Sequence, residues 1–183
     1  AYEAVGKGKS IFALTPSKVL CLERSSVTAT ALAGVVRNPG FESNYPEAWP
    51  HYGPIDEWSG VGGNSGTNLA DGPFHDNGFI PDGRQIGFGQ GPREMTQEIG
   101  GLEVGANYWL QFHYNVRNCC GGTMGLAASF GNQELFNEDL VEVVGPEEPY
   151  HFASIAFTPD TAGGTLKFVG TAEGDATYLL DGI

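Results

Sequence analysis

Tyr108-Trp109-Leu110-Gln111-Phe112-His113-Tyr114-Asn115-Val116-Arg117 alternates apolar and polar residues with a period of two. One face collects Tyr108, Leu110, Phe112, Tyr114 and Val116; the other collects Trp109, Gln111, His113, Asn115 and Arg117. A helix would spread those five apolar side chains around its circumference, whereas a strand sets them on one side of a sheet. Weaker alternation returns over 125–130, 152–157, 165–169 and 176–183. Turn signals separate these runs, among them Gly121-Gly122, Gly131-Asn132, Gly145-Pro146, Pro159-Asp160 and Gly163-Gly164. The window 133–144 has some helical character but no convincing cap, and it ends in Gly145-Pro146. Short strands at this spacing predict an all-β fold, an antiparallel sandwich or barrel.

The rest of the composition agrees. The 183 residues include 28 Gly and 11 Pro, which punctuate tight turns and oppose long helices, and 40% hydrophobic residues, enough to build a core. Charge is uneven along the chain. Residues 1–37 carry five cations (Lys7, Lys9, Lys18, Arg24, Arg37) and two anions (Glu3, Glu23), while the remainder carries four cations against 20 anions. This asymmetry divides the chain into an N-terminal extension, 1–34, and a β domain, 35–183. The extension reads as a linker, as the tail of a flanking domain, or as an arm that adds strands to this sheet or to a neighbour's. Its apolar patches, split by Pro16, are too interrupted for a signal-peptide core, and a leader already removed would leave no trace. The alternation of 176–183 runs up to Ile183, which leaves room for further polypeptide. The acidic surplus argues against a nucleic-acid partner, which needs a basic face. No run approaches the roughly 20 apolar residues that cross a membrane, so no membrane insertion is expected.

Several short motifs in order carry a resemblance. They are Asn38-Pro39-Gly40-Phe41-Glu42, Trp58, Met95-Thr96-Gln97-Glu98-Ile99-Gly100-Gly101-Leu102, Val104-Gly105-Ala106-Asn107-Tyr108, and the closing Leu179-Leu180-Asp181-Gly182-Ile183. This order resembles the galactose-binding-domain-like jelly rolls of bacterial carbohydrate-binding modules and secreted surface proteins. Within them it is similar to the subgroup with a Tyr-Asn-x-Arg-Asn-Cys-Cys-Gly-Gly segment, here Tyr114 to Gly122. The resemblance spans about 35–183. It implies an antiparallel β-sandwich (jelly roll) and a structural calcium ion between the first and last strands, held by Glu42 and Asp181. Calcium takes six to eight oxygens, so backbone carbonyls and loop carboxylates would complete the shell. The alternative is that Glu42 and Asp181 are ordinary turn carboxylates. Asp71, Asp76 and Asp82 form a second possible loop site, although Asp in turns commonly bonds its own backbone.

Sugar binding needs an apolar surface for the C–H face of a ring and amides or charges for its hydroxyls. The polar row of the long strand supplies both: Trp109, Gln111, His113, Asn115 and Arg117. Asn77, in the loop Asp71-Gly72-Pro73-Phe74-His75-Asp76-Asn77-Gly78, is a further carbohydrate-binding candidate. The opposing reading is a solvated sheet face, which alternates in the same way. Trp49, Tyr52 and Phe74 offer a loop platform instead, and Trp58 is expected in the core. Adjacent Cys119 and Cys120, beside Asn118 and Gly121-Gly122, can close a vicinal disulfide, a rigid apolar plate for a sugar ring and a mark of an oxidising compartment. Otherwise Cys120 faces the core and Cys119 sits in a turn. Cys21 makes the cysteine count odd. Catalysis has little support: His51, His75, His113 and His151 lack metal spacing, and no G-x-S-x-G elbow occurs. The expectation is a non-catalytic module, extracellular or on a cell surface, that binds a glycan or polysaccharide. The alternative is a structural or adhesive subunit of a surface layer or filament that self-assembles through residues 1–34.

Overall fold

A computed structural model of the chain describes residues 10–15, 18–23, 36–43, 48–69, 78–117, 122–171 and 175–183. The chain divides into two compact units, Ala1–Ala33 and Gly34–Ile183. In the first, β1 (Ser10–Thr15) and β2 (Lys18–Glu23) pair antiparallel, Ser10 opposite Glu23 and Thr15 opposite Lys18.

The second unit is an antiparallel β-sandwich. Its strands are β3 (His51–Tyr52), β4 (Ser65–Leu69), β5 (Gln85–Gln90), β6 (Glu94–Gly100), β7 (Tyr108–Val116), β8 (Leu126–Phe130), β9 (Gln133–Glu138), β10 (His151–Phe157), β11 (Gly163–Gly170) and β12 (Thr177–Asp181). They form a six-stranded sheet, β10-β7-β12-β5-β4-β3, and a four-stranded sheet, β6-β11-β8-β9. Among the described residues no helix occurs, and the helical hint at 133–144 resolves into β9 and a loop. The reason is local: Gly131-Asn132 forms a two-residue turn between the paired Phe130 and Gln133. Gly131, at φ 55°, takes the left-handed first position that suits Gly in such hairpins.

The alternation of β7 fixes which side faces inward. Leu110, Phe112, Tyr114 and Val116 are buried, and Phe112 packs edge-to-face with Phe168 of β11 (5.0 Å between centroids) and with Phe136 of β9 (5.2 Å). The six-stranded sheet thus meets the four-stranded one through aromatic rings, each burying the apolar area that dominates core energetics. Trp58 joins this core as expected, against Phe41 and Phe168, with its indole N–H donating to the Asn38 carbonyl. Gln97 pins the entry of the domain onto β6. Its side-chain oxygen accepts from the Arg37 amide, and its nitrogen donates to the Arg37 and Glu57 carbonyls. The central strands β4 and β12 are buried along their whole length, because their outer face is covered as well. A second apolar cluster of Ile86, Phe88, Tyr150 and Leu179, backed by Ile80 and Val144, lies on that outer side.

Candidate functional site

The outer row of β7 meets three different environments. At its start it is open. Trp109 is 62% exposed and pairs with Ala156; Gln111 is exposed and pairs with Ser154, donating from its amide nitrogen to the Ser154 hydroxyl at 3.1 Å. His113 pairs with Phe152, which is 55% exposed, and the two rings lie 4.9 Å apart. Paired residues share a face, so β7 and β10 present one strip: an indole, an amide–hydroxyl pair, then an imidazole beside a phenyl ring. Trp109 and His113 are four residues apart, about 14 Å along the strand at 3.4 Å per residue. Trp109, Gln111 and His113 are therefore brought together. Phe152 and Ser154 are additions that the sequence flagged only as a weak alternation, with no sign of which strand they would adjoin.

Farther along, the row is closed. Asn115 is fully buried. Its side-chain oxygen accepts from the Val144 amide at 3.0 Å, and its nitrogen donates to the Val144 carbonyl. Val144 packs on the outer apolar cluster, so the segment after β9 lies across this part of the sheet. Asn115 therefore anchors a loop and does not join the open strip; burial without partners would have been costly, and the loop backbone supplies them. Arg117 is half-buried, with its backbone amide donating to the Thr177 carbonyl. Asn77, Asn118, Cys119 and Cys120, like Asp71, Phe74 and Asp76, lie outside the described residues. Tyr52, 45% exposed, packs edge-on against Phe88 at 5.1 Å, on the far edge of the same sheet.

Between open and closed parts sits a carboxylate cluster. Asp181, in register with His113, is fully buried; its two carboxylate oxygens accept from the Asp82 and Gly182 amides at 2.8 and 2.7 Å. Burial, reinforced by the Asp82 and Glu42 carboxylates and opposed by those two amides, pushes its pKa up to about 8. Glu42 accepts from the Arg84 and Gln85 amides through one oxygen. Gly40 lets the groups converge: a β-carbon there would lie 2.7 Å from an Asp82 oxygen and 3.7 Å from an Asp181 oxygen. Burial lowers the pKa of His113 next door, with Asp82 acting against that shift. Asp82 thus groups with Glu42 and Asp181, which its position among other loop aspartates did not indicate; Glu42 lies in the turn segment 36–43 ahead of β3 and not in a first strand, while Asp181 ends β12. Among the described residues no three His, Cys, Asp or Glu side chains meet at ligating distance. A cation here would need backbone oxygens as well; what fits it is a buried carboxyl, Asp181, held in its neutral form by burial and by the Asp82 and Glu42 carboxylates, which a cation would let ionise.

No protein-family model matches the sequence, and no curated protein does. Solved structures do. A family 61 carbohydrate-binding module, solved in complex with β-1,4-galactotriose, superposes with a TM-score of 0.51 at 16% identity, over 81% of this chain and 94% of that one. A family 16 carbohydrate-binding module gives 0.45 at 14% identity, over 69% and 87%. The family 22 module and catalytic domain of Clostridium thermocellum xylanase 10B, complexed with xylohexaose, give 0.43 at 13% identity, over 69% of this chain and 25% of that one. At such identities the likeness is one of fold: the domain is an antiparallel β-sandwich of the jelly-roll kind seen in carbohydrate-binding modules.

Proposed function

We propose that this chain is a non-catalytic carbohydrate-binding module of an extracellular or cell-surface protein, and that the strip on β7 and β10 is its glycan site. The observation that carries this reading is the pair of exposed rings, Trp109 and Phe152, on adjacent strands with Gln111 and Ser154 between them. Exposed large aromatics on an ordered sheet mark a binding surface more often than scattered single residues do. The rings offer faces for sugar C–H groups, and the amide, hydroxyl and imidazole offer donors and acceptors for the rim. The acidic balance of residues 38–183 favours a neutral glycan over an acidic one. A fold does not name a ligand, so β-1,4-galactotriose enters as the first oligosaccharide to try because the family 61 module binds it.

Calcium belongs to this reading as a structural ion held by Glu42 and Asp181, with backbone carbonyls completing the shell. When bound it would supply positive charge to a buried carboxylate and tie the 38–43 segment to the end of β12. A vicinal Cys119–Cys120 bridge, with Asn77 and Asn118 as further contacts, is the remaining part of the proposal.

The test is a glycan array of the whole chain and of Trp109→Ala, each with and without chelator and reductant. Binding by the parent and its loss in Trp109→Ala supports the strip. Binding that survives Trp109→Ala but fails on reduction moves the site to the cysteines. Absence of binding in every condition, with concentration-dependent assembly, sinks the glycan reading in favour of a structural subunit.

A further inference from the structure

The four-stranded sheet has an outer face of its own. Leu166 and Phe168 of β11, and Leu126, Ala128 and Phe130 of β8, point into the core, so Lys167, Val169, Ala127 and Ser129 point outward. Pairing skips a residue beside Ala128/Ser129: Ala128 faces Phe136 and Ser129 faces Glu134, which leaves Leu135 as the extra residue of a bulge. Short side chains along β8, between longer ones on β11 and β9, leave an open depression of about 320 Å³. This is near the lower end of small-ligand sites. Across it runs one row: Lys167 pairs with Ser129, and Ser129 pairs with Glu134. An ammonium and a carboxylate stand on opposite walls, two strand spacings or about 10 Å apart at the backbone. A hydroxyl lies on the floor and the Asn132 amide at one end.

Lys167 is the sole lysine beyond residue 18. Among the described residues no carboxylate pairs with it, although Glu94 and Glu98 sit diagonally across on β6; Glu98 accepts from the Thr165 hydroxyl instead.

The geometry points to a second carbohydrate site in this depression, one that takes the hydroxyl edge of a single neutral pyranose. Hydroxyl oxygens accept from Lys167 and Asn132, and a hydroxyl hydrogen is donated to Glu134. Charge selects the class. A uronate on Lys167 would face Glu134, Glu94 and Glu98, and an amino sugar on Glu134 would face Lys167. No aromatic ring lines the depression, so affinity falls in the millimolar range, about 4 kcal/mol. The depression and the β7–β10 strip lie on opposite faces of the sandwich. Two such sites join separate polysaccharide chains and do not add avidity along one.

NMR titration of the full chain separates the possibilities. The probes are the methyl glycosides of galactose, glucose, xylose and mannose, each taken to concentrations on the order of tens of millimolar, with glucuronate and glycine as anionic and zwitterionic arms. The expected result is saturable shifts of the Ser129, Asn132, Glu134 and Lys167 amides with at least one neutral glycoside. These shifts persist in Trp109→Ala and weaken roughly tenfold or more in Lys167→Met and in Glu134→Gln. Both replacements are at the surface, so their unperturbed spectra should overlay the parent's. Shifts confined to 109–113 and 152–154 overturn the second site and leave the strip standing. A response to glycine or glucuronate alone overturns the neutral-sugar assignment. Shifts indifferent to both replacements, or no shifts at all in the depression, overturn the site.

Discussion

The two halves of the outer row of β7 share a strand, an alternation and a polar composition, yet they have opposite fates. Trp109 and Gln111 stand in solvent next to β10, while Asn115, four residues beyond Gln111, is sealed beneath Val144. A polar outward position on a strand thus has two uses. Where nothing covers the sheet, it is available to a ligand. Where a loop crosses, the same amide becomes the anchor that satisfies the loop backbone.

Experiments that break this comparison begin at its midpoint. Asp181 holds a proton in the folded chain over a range in which the unfolded chain has released it, because its pKa rises from 3.8 to about 8. Without calcium, the Asp181 contribution to stability should therefore be full at low pH, decline as pH climbs from about 3.8 to about 8, and level off above. The decline is about 6 kcal/mol at most. Denaturant melts across that range, for the parent and Asp181→Asn, check it: the variant should lose most of the decline. If calcium binds the cluster, adding it at neutral pH should restore stability to the parent and do little for Asp181→Asn.

Next in size is Asn115→Ala, which leaves the Val144 amide and carbonyl without their partners. It should cost about 2 kcal/mol, read as a lower denaturation midpoint with unchanged slope. Glycan affinity on the open strip should hold. Trp109→Ala should behave in the reverse way, with stability within about 0.5 kcal/mol of the parent. Its loss in glycan affinity should be near 2 kcal/mol, roughly thirtyfold by calorimetry. If the two variants change the same quantity, the division of β7 into a ligand half and an anchor half fails. The smallest effect belongs to Gln111→Ala, which removes one amide from the strip. It should weaken binding by about 1 kcal/mol, roughly fivefold, without a change in melting.

Local pattern sets the all-β class and the inward face of β7. Period-two alternation over ten residues allows only one arrangement of Leu110, Phe112, Tyr114 and Val116, and Gly131-Asn132 signals a turn, although the strand β9 that follows it was not legible. The sequence also placed Trp58 in the core and singled out Trp109 as a surface aromatic. The partnerships come from long-range contacts. Phe152 and Ser154 belong to the strip because β10 pairs with β7 in one register, and Asp82 joins Glu42 and Asp181 because three distant segments end at the same corner. Asn115 is closed off because a loop some thirty residues later in the chain folds back over it. Local pattern encodes which way a side chain points, since that follows from backbone geometry within a strand. What it points at depends on sheet order and loop path, which are set by contacts between residues far apart in the chain.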